Sequence, residues 1–440
     1  GTLTEGRPAL VGVHPAEGVD EARLIRLAAS LERVEDFLAT VDDAPFLALD
    51  TETSGLDPHK DKVILIQFGT AERQALVDAV AVDARTIQSI FRDGRLVVMH
   101  NATFDLKMLW NTYGDAAGLA CARVADTQAA EQLLRNGRRT DVVMQGFSLK
   151  ALAERYAGME LDKSIRQGFY GIQNLSELSA TELHYARRDV EATWKVFAAQ
   201  LPELERDGLV RVAGLEGAAA PAFAQMELTG FSVDADAWKA RLSEAKGRSQ
   251  ETRRALDYAF RSVADRDLFG ATTLNFDDDD AVLEALRKLG LTLSNTRREA
   301  LEASGHPAAL ALAAHREQQK IVSTYGDAFI SMVHDVTGRL HPRFKSMGAQ
   351  TGRVSCSDPN LQNIPSDSAF RACFAAPEGR CLVTADYASA ELRILAEMSD
   401  DPVFRHAFQS GADLHSVVFR GRGEPAEGDT HVEGRNGYVE

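Results

Sequence analysis

An α/β fold continued by α+β regions, in a multidomain chain, is what this sequence predicts, and three observations carry it. Four short β-rich runs come early, at residues 46–49, 63–68, 74–77 and 96–99. Helical periodicity then dominates from residue 104 to 204. A mixed sheet formed first and covered by later helices is an α/β layer arrangement. From residue 338 to 418 the texture changes to short loops and strands crowded with Arg, Asn, Gln and Ser.

Taken in order, residues 1–20 are rich in Gly, Pro and small residues and read as a loose leader. Apolar residues at Leu24, Leu27, Leu31, Val34, Phe37 and Leu38 predict one helix over 24–41. The turn Ser54-Gly55-Leu56-Asp57-Pro58 separates the first two strands. Residues 210–336 read as mostly helical, with the acidic turn at 275–280 capping the helix that follows. Calcium binding there would need the alternating ligand spacing and central Gly of an EF-hand, which the segment lacks. Residues 381–385 predict a strand that ends at Asp386, with Glu391 at the entry to a helical run. Residues 420–440, with many Gly and charges and little apolar pattern, read as a disordered tail.

Composition narrows the function classes. The 440 residues are 45% hydrophobic, enough for two or three domains with cores. No stretch approaches the roughly 18 uninterrupted apolar residues of a membrane span, and no secretory signal is visible. The cysteines (Cys121, Cys356, Cys373, Cys381) form no C-x-x-C pair and fit a reducing cytoplasm. A net charge of −16 argues against a protein that coats nucleic acid indiscriminately. It leaves room for a local basic track: residues 339–380 hold six Lys/Arg (Arg339, Arg343, Lys345, Arg353, Arg371, Arg380) and three acids. By charge alone an ordinary solvated surface is the better reading of that window.

Four carboxylates carry the chemistry. Asp50 and Glu52 follow the apolar run 46–49, Asp105 follows the strand at 96–99, and Tyr185 and Asp189 lie four apart on a late helix. Acids at i and i+2 on a strand share a side, and residues four apart on a helix share a face. Gathered by the fold, the four acids would be tolerable only with divalent cations among them. Hard oxygen donors without nearby Cys or His favour Mg2+ or Mn2+ over zinc. Two such ions about 3.5–4 Å apart stabilise both oxygens of an in-line phosphoryl displacement. The expectation is a metal-dependent nuclease.

With SLKALAERYAG and Leu161-Asp162-Lys163-Ser164, these clusters resemble the DnaQ-like 3′–5′ exonucleases of the three-Asp, one-Glu, one-Tyr type in their polymerase-linked form. The resemblance covers roughly residues 40–205 and implies an RNase H-like mixed-sheet domain. It implies that Asp50, Glu52, Asp105 and Asp189 hold two metal ions. Tyr185 would orient the attacking water, and Asn101 would sit near the frayed 3′ terminus.

A second set of motifs is more specific. TGRVSCSDPNLQNIP (351–365), DYASAELR (386–393) and ADLHS (412–416) resemble the polymerase domain of family A DNA polymerases of the bacterial DNA polymerase I type. MELTGFSVD and HREQQKIVSTYGDAF resemble its palm entry and thumb. The resemblance implies a leader (1–30), an exonuclease domain (31–205), a helical thumb (206–336), a partial palm (337–418) and a tail (419–440). It implies that Asp386 binds metal and that Glu391 crowds out a ribose 2′-OH. Arg353, Gln362 and Asn363 would contact the duplex, and Asp413 and His415 would lie near the incoming triphosphate. Ala388, Ser389 and Ala390 depart from the commoner form of the motif, which bears on sugar selection.

No lysine follows Lys345, and no His-Asp pair follows Asp386. The resemblance implies a phosphate-gripping fingers helix and a second catalytic carboxylate further on, and the expectation is that these 440 residues lack both. His334-Asp335 precedes the palm and reads as a helix-end pair. The expectation is a monomer that trims single-stranded 3′ ends and meets DNA primer-template, with dNTP used only by a complete polymerase. An exoribonuclease of the RNase D type would share the acid clusters but leaves TGRVSCSDPNLQNIP unexplained. A non-catalytic nucleic-acid-binding fragment is the other alternative.

Overall fold

A computed structural model describes residues 25–28, 31–114, 118–136, 146–172, 175–269, 272–364 and 368–411. The chain forms two compact units, residues 1–375 and 376–440.

In the first unit, β1 (Ile25–Ala28) precedes α1 (Leu31–Thr40), so the single helix expected over 24–41 is replaced by a strand and a shorter helix. β4 offers a row of backbone groups at the sheet edge, and pairing β1 along it satisfies them. The sheet thus reaches back into the stretch read as leader. β2 (Leu47–Thr53), β3 (Val63–Gly69), β4 (Gln74–Asp78), β5 (Leu96–Met99) and β6 (Arg123–Asp126) follow. The sheet order is β1-β4-β3-β2-β5-β6. β3 runs antiparallel to β2 and β4, whereas β5 is parallel to β2 and β6. Every residue of β3 is buried, as expected of a central strand covered on both faces.

Helices α2 (Ala84–Ile90), α3 (Ala102–Tyr113), α4 (Thr127–Arg135), α5 (Leu149–Ala157) and α6 (Ala180–Arg206) complete the layer. The next helix, α7 (Val210–Thr229), docks against β6 through Gly217, where a Cβ would lie 1.9 Å from the Val124 carbonyl oxygen. Only glycine allows that approach.

Beyond it, β7 (Phe231–Ser232) leads into α8 (Ala235–Ala259), α9 (Asp279–Lys288), α10 (Arg298–Ala303), α11 (Pro307–Thr324) and α12 (Asp327–Ile330). The acidic turn does cap a helix: the Asp278 side chain accepts the Asp280 and Ala281 N–H groups at the start of α9. Asp279 bonds Arg316 at 2.9 Å. β8 (Arg339–Leu340) pairs with β7, and β9 (Arg343–Lys345) pairs antiparallel with β10 (Ser355–Ser357). α13 (Ser368–Arg371) is the last described element of this unit.

The second unit contains α14 (Ala390–Ser399) and α15 (Pro402–Ser410). Glu391 lies in the first turn of α14, as expected. The strand expected at 381–385 is absent: these residues are exposed and irregular. No described strand pairs with them, and an isolated strand leaves its backbone unsatisfied. No described helix is long and apolar enough to cross a membrane.

Candidate nuclease site

The C-terminal part of β2 carries Asp50 and Glu52, with an irregularity in the β2–β3 register directly after Glu52. Asp105 sits in the first turn of α3, and Tyr185 and Asp189 lie on consecutive turns of α6. One carboxylate oxygen each of Asp50, Glu52 and Asp189 lies within 4.8 Å of the others. Asp105 adjoins them through Thr51: its Oδ1 accepts the Thr51 N–H at 3.1 Å and the Thr51 hydroxyl at 2.6 Å. All five side chains line one cavity of about 530 Å3.

Burial and mutual repulsion make the group costly as anions. Burial, then the charge of Asp189, raises the Asp50 carboxyl to about 6. Burial and the Asp50 charge push Glu52 and Asp105 well above the usual carboxylate range. Burial, then Asp189, raises the Tyr185 phenol. Asp189 Oδ1 is buried with no hydrogen-bond partner. Three close hard-oxygen donors, one with an orphaned lone pair, fit divalent cations.

Several residues that build this site have no role among the sequence expectations. Gln67 on β3 donates to Asp50 Oδ2 at 2.9 Å and Glu52 Oε1 at 3.2 Å. Its signal was present, as the one polar side chain amid the apolar residues of VILIQFG. Lys163 donates to Asp189 Oδ2 at 2.7 Å and to the Tyr185 hydroxyl at 3.0 Å. Arg166 lines the same cavity. Asp126 Oδ1 and Oδ2 accept the Asn101 and Ala102 N–H groups (3.0 and 2.8 Å), while Oδ1 also caps α4. That anchor holds Asn101 in a left-handed conformation (φ 63°) at the cavity mouth. The donor set was expected to lack nearby histidine, yet His100 lines the cavity, its Nδ1 2.8 Å from the Thr127 hydroxyl. Burial, then Lys163, lowers His100 to about 3, which keeps the ring neutral.

The other expected site residues lie elsewhere. Arg353, Gln362 and Asn363 are exposed and do not line this cavity. Gln362 donates to the Val354 carbonyl at 3.1 Å, and the Asn363 carbonyl accepts the Tyr325 hydroxyl. Asp386 is exposed in the second unit and joins no carboxylate cluster among the described residues. Asp413 and His415, like the tail at 420–440, fall outside the described residues. His334-Asp335 is not a helix end but part of a turn whose His334 Nε2 meets Asp57 Oδ2 at 2.8 Å.

Comparison with known proteins adds to this geometry. A family model described as 3′-5′ exonuclease matches residues 25–205, and one described as DNA polymerase family A matches residues 274–435. DNA polymerase I of Aquifex aeolicus is 29% identical over 412 residues, covering 87% of this chain and 65% of the relative. The thermostable DNA polymerase I of Thermus thermophilus is 37% identical over 206 residues, 44% of this chain and 24% of the relative. The chain therefore spans two thirds or less of these relatives. In fold it resembles the POL domain of Pol1 from M. smegmatis, solved in complex with DNA primer-template and dNTP. The TM-score is 0.65 at 23% identity, covering 87% of this chain and 65% of that one.

Proposed function

Because this chain belongs to DNA polymerase family A and carries a 3′–5′ exonuclease domain, we propose that it hydrolyses DNA from the 3′ end, one nucleotide at a time. The observation that carries this reading is the convergence of Asp50, Glu52 and Asp189 in one buried group, with Asp105 and Tyr185 on the same cavity. Asp50, Glu52, Asp105 and Asp189 are the residues that would hold two Mg2+ or Mn2+ ions. Bound there, such ions supply Lewis-acid stabilisation of the charge that develops on the scissile phosphate.

The chain's own groups do the rest. The Tyr185 hydroxyl, kept protonated by its raised pKa, orients the attacking water. Gln67 fixes the Asp50 and Glu52 carboxylates, and Thr51 fixes Asp105. Lys163 holds Asp189 and Tyr185 in register from one ammonium. Asn101 at the mouth contacts the terminal nucleotide. We assign the exonuclease to 31–205 with β1 added, the thumb to 206–336 and the partial palm to 337–418. There Asp386 and Glu391 belong to a polymerase site with Asp413 and His415, and Arg353, Gln362 and Asn363 to the duplex contact. The partner is DNA.

The test is a 3′-labelled single-stranded DNA with and without Mg2+, beside RNA of the same sequence. Mg2+-dependent release of mononucleotides from DNA is the expected result. Release from RNA alone would replace this reading with the exoribonuclease, and binding without cleavage would replace it with the non-catalytic module.

A further inference from the structure

A polyanion approaching four carboxylates is repelled unless the rim of the cavity compensates. Five Lys/Arg side chains line the cavity: Lys107, Lys163, Arg166, Arg343 and Lys345. Three are engaged. Lys107 pairs with Glu227 at 2.8 Å, Lys163 pairs with Asp189, and the Arg166 charge lies against Asp50 and Glu52. Arg343 and Lys345 are exposed and form no ion pair with any described residue.

Their placement is built rather than incidental. Both sit on β9, two residues apart, so their side chains share one face of the strand. The residue between them is the anchor. Phe344 stacks on Phe223 of α7 (5.9 Å between centroids), and its N–H donates to Glu227 Oε1 at 2.7 Å. The other oxygen of Glu227 holds Lys107, two residues after Asp105 on α3. One buried carboxylate therefore ties β9 to the helix that carries a candidate metal ligand. Serines, not acids, face the two cations across the β9–β10 pair.

We propose that Arg343 and Lys345 form a phosphate-binding rim that grips the backbone of the single strand upstream of its 3′-terminal nucleotide. The proposal rests on the exonuclease reading above and extends it. Residues outside the exonuclease module decide that long single strands are preferred over very short ones.

The full chain, R343A/K345A and the charge-conserving R343K/K345R are compared on two substrates. One is a single-stranded 12-mer. The other is the p-nitrophenyl ester of thymidine 5′-monophosphate, which has no phosphate upstream of its single nucleotide. The kcat/KM ratio of 12-mer to ester is expected to fall about tenfold in R343A/K345A, through KM of the 12-mer, and to recover in R343K/K345R. Anisotropy of a labelled 12-mer in EDTA should show the salt dependence of binding reduced by about 1.4 in slope, two contacts at roughly 0.7 each. An unchanged ratio together with an unchanged slope would overturn the rim. If the unaltered chain cleaves neither substrate, the exonuclease reading fails, and the anisotropy slope alone decides the rim.

Discussion

Asp189 uses its two oxygens differently. Oδ2 is held by Lys163, while Oδ1 has no hydrogen-bond partner. A buried lone pair without a donor costs roughly 1–3 kcal/mol, so a cation there relieves strain already present. Asp189→Asn is expected to lower single-turnover trimming of labelled single-stranded DNA by at least about 10³-fold. Retention of a tenth of the rate would remove Asp189 from the metal site. Tyr185→Phe, which keeps the ring and loses the hydroxyl, should cost about 10²-fold in the same assay. Lys163→Ala separates two roles. DNA-free Mn2+ binding, read by electron paramagnetic resonance, should tighten several-fold because an intramolecular competitor for Asp189 is gone. Trimming should slow because Tyr185 loses its anchor. At this scale the acids were legible in the sequence, since two carboxylates ending an apolar strand need a reason. The role of Lys163 was not, although its motif was, because it lies 22 and 26 positions from the groups it holds.

Two arrangements of elements hold the site in place. Glu131 on α4 is fully buried and accepts from Arg135 (3.0 Å), the Tyr156 hydroxyl (2.6 Å) and Gln200 (3.1 Å), with Arg155 completing the set. It thereby joins α4, α5 and α6. Removing one member of such a network leaves buried charge unpaired, so Glu131→Ala is expected to cost roughly 3–5 kcal/mol in urea unfolding. The second arrangement is a histidine clasp. His59, in the turn after β2, lies 3.3 Å from His341, while His334 meets Asp57. Burial, then neighbouring His341 and His334, lowers the pKa of His59, despite the opposing Asp57. Burial lowers His341 too, against a hydrogen bond to the Glu227 carbonyl and with His334 and Arg339 nearby. The native state therefore takes up protons at lower pH than the unfolded chain. The contribution of these two histidines is expected to be full above about pH 6.5 and to be lost as pH drops through their depressed native values. It is opposite in sign to that of Asp50, Glu52 and Asp105, whose raised values make stability rise as pH falls. Thermal unfolding between pH 7.5 and 5 of the unaltered chain beside H59F/H341F checks this: the difference in stability should move in favour of the variant as pH falls.

The whole molecule consists of two units, and the three clustered carboxylates and the adjoining Asp105 belong to the first. Asp386 belongs to the second and joins no group of three or more acidic, His or Cys side chains among the described residues. A nucleotidyl transfer by paired metals needs more than one fixed carboxylate. The polypeptide of these 440 residues is accordingly expected to trim DNA but not to extend a primer, and robust templated incorporation of dNTPs would contradict that. By itself the sequence determined strands β2 to β5, the helical character of α5 to α7, the hard oxygen chemistry of the acids and the cap on α9. These follow from local periodicity and side-chain chemistry, which act over a few residues. The strand at 381–385 was misread because an extended segment needs a pairing partner that no local pattern reveals. Tertiary structure alone decided that β2, α3 and α6 converge, that β1 extends the sheet, and that β9 lines the acidic cavity. Those outcomes depend on sheet order and on single anchors such as Gly217 and Glu227, which bring distant segments together.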